Sequence, residues 1–125
     1  MREYVPTPRP ATGALGYILP RPVRIGARWE VACPKCGQVV RHGDKATCRR
    51  ALATHFGYAH PGQAMIELSV EMRHGKPETR AYYLRAWHQQ ARYAEYVAVR
   101  ESTRPARQRR EPARSPILTE TAPDV

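Results

Sequence analysis

The sequence predicts a small α+β fold: two short strands and a helix, then an extra strand and a long C-terminal helix, set between basic, proline-rich ends. Three observations lead there. All three cysteines and three of the five histidines fall within residues 33–62. Apolar and polar residues alternate from Val23 to Val31 and again from Ile66 to Met72, the period of a half-buried strand. From Pro77 to about Arg100, Leu84, Trp87, Ala91, Ala94 and Ala98 recur at spacings of three and four, which is one stripe of a helix.

Length and composition bound the answer. The chain has 125 residues, 12 of them proline and only one phenylalanine. Pro6, Pro8, Pro10, Pro20 and Pro22 crowd the front, and Pro105, Pro112, Pro116 and Pro123 the back. Residues 1–22 therefore read as a flexible arm and residues 102–125 as a disordered basic tail. The remainder is short enough to need a staple beyond its own core. Net charge is +10, with 18 arginines and three lysines. Such a balance concerns partners rather than fold, and phosphate-bearing nucleic acid is the first of them. An acidic protein or a membrane surface is the blander account. Three cysteines cannot all pair within one chain. No apolar run of about 20 residues is present to span a bilayer, and the first 19 residues lack the apolar stretch of a signal peptide. A reducing, cytoplasmic setting is expected, where C-x-x-C means metal or redox chemistry more often than a disulfide.

Taken in order, Val23–Val31 is the first strand. Cys33-Pro34-Lys35-Cys36-Gly37 is a tight turn with both thiols facing one point, and Gln38–Arg41 returns as the second strand. Lys45–Tyr58 is a helix capped by Asp44 or Thr47 and stopped by Pro61 and Gly62. Ile66, Leu68, Val70 and Met72 put a third strand over Met65–Met72, and His74–Pro77 turns. The long helix follows, with Pro77 in its first turn and Tyr83, Tyr93, Tyr96 and Val97 widening its stripe. These aromatics are read as core covering the sheet, with partner binding or base stacking as the sharper alternative.

Cys33 and Cys36 are spaced to reach one ion, as in structural zinc sites. A thioredoxin-like pair would open a helix, whereas Gln38-Val39-Val40 reads as extended. Two sets can complete four ligands. His55 and His60 give two cysteines and two histidines; His42 and Cys48 give a knuckle, C-x2-C-x5-H-x5-C. A set using both Cys48 and His55 is excluded on a continuous helix, because seven residues separate them by roughly 10 Å.

Residues 29–61 resemble a zinc finger with two cysteines and two histidines. Val31, Cys33, Cys36, Val40, Leu52, His55 and His60 stand at that finger's ligand and core positions. The two core positions usually filled by aromatics are valines here, and 18 residues separate Cys36 from His55 where the familiar finger has about 12. The resemblance implies a ββα unit over residues 23–61, with Zn2+ held by Cys33, Cys36, His55 and His60. The extra strand and long helix, residues 62–101, would pack on it as in prokaryotic fingers that wrap the unit. Cys48 becomes a packing residue, and His42, His74 and His88 become surface histidines. A closed four-ligand site leaves no place for an activated water, and no nucleophile, paired carboxylate or phosphate loop accompanies it, so an enzyme is not expected.

The same resemblance assigns the base-reading helix positions −1, 3 and 6 to Cys48, Ala51 and Thr54, none of which makes a bidentate contact with a purine. Arg49 and Arg50 are the only strong donors there. Phosphate contacts are expected from these two and from Arg104, Arg107, Arg109 and Arg110 of the tail, with arm residues such as Arg21 assisting. The expected function is a zinc-stabilised, nucleic-acid-binding protein with a regulatory or mobile-element accessory role, double-stranded DNA being the partner. The alternative is a protein-interaction module in which zinc is structural. Neither a membrane nor a small-molecule substrate is expected.

Overall fold

A computed structural model describes residues 6–103. Its elements are α1 (Thr12–Ile18), β1 (Val23–Ile25), β2 (Arg28–Ala32), β3 (Val39–His42), α2 (Lys45–Ala59), α3 (Pro61–His74) and α4 (Pro77–Thr103). The strands form one antiparallel meander in the order β1-β2-β3. The α+β class and the long C-terminal helix stand as expected. Three elements differ, each for an identifiable reason, and the tail beyond Thr103 lies outside the described residues.

Val23–Val31 is a hairpin rather than one strand. Gly26, with φ at 63°, and Ala27 make a two-residue turn that pairs Ile25 with Arg28 and Val23 with Glu30. Paired residues share a face, so the turn places Val23 and Ile25 beside Glu30 and Arg41 on the solvent side. They are 59% and 53% exposed. The opposite face, carrying Trp29, Val31 and Val40, lies against α2.

Residues 61–74 are helix, not the expected third strand. The alternation over Ile66–Met72 coincides with a helical stripe. Ala64 and Leu68 are fully buried, Met65 and Met72 are half-buried beside them, and Ile66 is exposed. Glutamate, methionine, leucine and glutamine favour helix over strand, and Pro61 occupies the first helical turn, where its missing N–H costs nothing. α3 and α4 make an antiparallel pair joined through Gly75 and Lys76, the most extensive contact between elements.

The front segment is not a flexible arm where it is described. Ala11, Ala14, Leu15 and Leu19 are buried, a helical stripe that docks α1 on α2. The prolines bracket this helix rather than dissolve it: Pro10 is buried before it and Pro20 follows it. Gly57 of α2 makes the approach possible. A Cβ there would lie 2.8 Å from the Cβ of Pro10 and 3.2 Å from Cδ1 of Leu15.

The core gathers Leu15, Val31, Val40, Cys48, Leu52, Phe56 and Leu68 from five elements. On α4 the buried positions are Ala86 and Gln90, flanked by half-buried Tyr83 and Trp87, while Leu84 is 42% exposed. The stripe is thus centred off the expected one, and its most buried member is polar. The Gln90 side chain accepts from the Ala11 N–H at 2.9 Å and donates to the Gly57 carbonyl at 3.2 Å, so both ends of the amide are satisfied. It ties the start of α1 and the end of α2 to α4.

Candidate metal centre

The Cys33–Gly37 turn is built by its own backbone. The Gly37 N–H donates to the Cys33 carbonyl at 2.8 Å, and the Cys33 N–H donates to the Gln38 carbonyl at 2.8 Å. Gly37 holds φ at 80°, a left-handed conformation that glycine adopts without steric cost. The Lys35 N–H points at Cys33 Sγ at 3.4 Å. Cys33 faces the core, whereas Cys36 is exposed.

Facing this turn is the end of α2. Its start is fixed by Asp44, whose carboxylate accepts from the Thr47 N–H and hydroxyl, each at 2.9 Å. These bonds hold the Asp44 carboxyl below its ordinary value. His55 lies on the last full turns. His60 sits in the break between α2 and α3, with φ −129° and ψ 59°. Pro61 is the reason, since a proline disfavours α backbone at the residue before it. The five-residue spacing of the histidines, too wide for a regular helical turn, is thereby accommodated. The break falls at His60, while Gly57 stays within α2 and serves the contact with Pro10.

One ligand atom from each of Cys33, Cys36, His55 and His60 lies within 4.8 Å of all the others. Cys36 Sγ and His55 Nε2 are 3.3 Å apart, and the two imidazoles cross nearly perpendicular with centroids 5.0 Å apart. A tetrahedral ion with ordinary metal–sulfur and metal–nitrogen bonds sets its donors roughly 3.3–3.8 Å from each other, so small side-chain shifts close the set. His60 Nε2 is buried with no hydrogen-bond partner among the described residues. A buried polar atom without a partner is costly, and a metal ion would supply one. Burial first, then His55 and Lys35, push the His60 imidazole below its ordinary value, favouring the neutral form whose lone pair can ligate. Two thiols and two imidazoles with no carboxylate are the donors of a tetrahedral, borderline-soft metal site.

The competing set is not assembled. Cys48 is fully buried in the core, with Sγ directed at the Val40 and Trp29 carbonyls at 3.4 and 3.5 Å. Burial pushes its thiol up, so it stays protonated. His42 pairs with Trp29 at the end of β3.

The positions expected to face nucleic acid are dispersed. Cys48, at position −1, belongs to the core, and Ala51 is half-buried against it. Thr54 is exposed. The Arg49 guanidinium lies 5.7 Å over the ring of Tyr17 on α1, and exposed Arg50 donates to the Thr47 hydroxyl at 3.3 Å. Arg104, Arg107, Arg109 and Arg110 lie outside the described residues. What sequence reasoning missed is α1, which stands beside α2 and supplies Tyr17; its signal was the Ala11, Ala14, Leu15, Leu19 spacing. No helix among the described residues is long and apolar enough to cross a membrane. No family model, curated protein or solved structure matches the chain.

Proposed function

We propose that this is a zinc-stabilised nucleic-acid-binding protein, in which Cys33, Cys36, His55 and His60 hold one Zn2+ and a basic surface binds phosphates. The donor set and the orphaned His60 nitrogen support a metal, and two thiols with two imidazoles favour zinc. All four positions come from protein, so the ion's role is to pin the β2–β3 turn to the end of α2 rather than to activate water.

The nucleic-acid part rests on where the charge lies. Between residues 6 and 59, nine basic residues stand against two acidic ones; in the α3–α4 pair, residues 61–103, the balance is six to five. The excess thus lies on the sheet, on α2 and on the segments either side of α1, which itself carries no charged residue. Neutralising phosphates releases counterions and gives sequence-independent affinity. With Cys48 in the core, base reading in the manner of a DNA-reading finger finds little support, and mainly electrostatic binding is the better reading. A regulatory or mobile-element accessory role belongs to this proposal.

The test is retardation of a mixed-sequence 20-base-pair DNA duplex by the zinc-loaded full chain across salt concentrations. Affinity should fall steeply, on the order of a hundredfold or more between 50 and 200 mM salt if several phosphates are engaged. No retardation of duplex at low salt would count against double-stranded DNA as the partner, and no binding of single strand either would overturn the nucleic-acid reading. A second reading, a protein-interaction module with purely structural zinc, has in its favour the exposed Ile66 and Leu84 on the near-neutral α3–α4 pair. That reading predicts no salt-dependent duplex binding.

A further inference from the structure

The surface over α1 combines features that neither the finger nor the tail explains. Two open depressions flank this helix and meet at Gly13. One, of about 610 Å3, runs between α1 and α4 and is edged by Tyr82, Arg85, His88 and Arg92. The other, of about 280 Å3, runs between α1 and α2 and is edged by Tyr17, Arg49 and Arg50. Gly13 carries no side chain into either, and the space where a Cβ would stand is empty to 4 Å. Tyr17 is 63% exposed, the most exposed large apolar or aromatic side chain described, and meets Tyr82 edge-on with centroids 6.3 Å apart. Among the described residues the one ion pair is Arg41–Glu30, so Arg49, Arg50, Arg85 and Arg92 have no carboxylate at ion-pair distance.

From this we infer that the α1 surface is a binding site for single-stranded nucleic acid. The inference rests on the nucleic-acid reading above and makes it more specific. A duplex hides its bases from an aromatic side chain, whereas an unpaired strand offers a π-face at every nucleotide and a phosphate between each pair. Aromatic rings interleaved with arginines along an open groove answer both. Tyr17 and the Arg49 guanidinium stacked on it provide the base platform at one end, and Tyr82 continues it. Arg85 and Arg92, seven residues apart on α4, lie about 10 Å apart along the helix and follow the backbone. The glycine floor admits the strand close to α1. A solely structural cluster accounts for Arg49 on Tyr17 and Arg50 on Thr47, but not for Arg85 and Arg92, and it would hide Tyr17.

The test compares a 20-nucleotide oligothymidylate with the duplex used above, by fluorescence anisotropy on the zinc-loaded full chain. Tyr17→Ser should weaken oligothymidylate binding about fivefold or more, and Tyr17→Phe should restore it. Arg85→Ser with Arg92→Ser should reduce the slope of log affinity against log salt by about 1.4. Gly13→Glu places a good helix former and a favourable charge in the first turn of α1, so the fold should keep or raise its melting temperature. It should nonetheless lower single-strand affinity about tenfold by filling and repelling. If oligothymidylate binds with none of these dependences, or if only the duplex binds, the α1 site is overturned while the nucleic-acid reading stands. If neither oligonucleotide binds at low salt, both fall.

Discussion

Single residues in this chain decide distances that the elements alone would leave open. Gly57 is one, because α1 approaches α2 where a side chain would collide with Pro10. Gly57→Ala should destabilise the protein by about 1–3 kcal/mol through overpacking, despite the better helix propensity of alanine. Equilibrium urea unfolding measures it, and a stabilised variant would contradict the close approach. Asp44 is another. Its carboxyl is held below the ordinary 3.8 by the Thr47 N–H and then by the Thr47 hydroxyl. A folded value below the unfolded one contributes stability that is present above pH ~4 and lost as the pH falls through the folded value. Asp44→Ala should therefore melt below the wild type at pH 7, and the gap should close in acid. Melting curves from pH 7 to pH 2.5 check both halves. A gap that widens in acid would show that the cap does not act through the ionised carboxylate.

At the scale of elements, the Cys33–Gly37 turn and the helix facing it were legible in the sequence, and the neighbours of that helix were not. Cys33, Cys36, His55 and His60 could be selected because Val31, Val40 and Leu52 stand at matching core positions, and all three are buried. Local chemistry was also readable, as in the Asp44 cap and Pro77 at the start of α4. Two strand assignments failed because period two is ambiguous in short runs. In Val23–Val31 a two-residue turn reverses which residues share a face. In Ile66–Met72 the alternation overlaps the helical set Ala64, Met65, Leu68 and Met72. Proline count misread α1, since bracketing prolines and scattered prolines have the same composition. Gln90 was unreadable because its burial depends on the Ala11 N–H and the Gly57 carbonyl, 79 and 33 residues away. Leu15 gives the direct test of α1 as a core element. Being fully buried, its replacement by alanine should cost about 2–5 kcal/mol in urea unfolding; a flexible arm predicts no change.

For the whole molecule, a basic chain with a modest core is organised around one point. The β2–β3 turn, α2 and the α2–α3 junction meet at the four Cys and His side chains, while Gln90 ties α1 and the end of α2 to α4. This arrangement would give a bound ion a mechanical role, because it would join sheet and helices that otherwise share only a small core. It also places the basic and aromatic surface on elements whose positions depend on that join. Metal content is therefore the measurement closest to the centre of the account. The full chain, purified under reducing conditions, should carry one zinc ion, and its cobalt-loaded form should show the visible absorption of a tetrahedral site with thiolate ligands. Cys33→Ala and His55→Ala should each abolish retention, and Cys48→Ala should leave it intact. A chain that takes up no zinc, or one that loses it on Cys48→Ala yet keeps it on His55→Ala, would contradict the account.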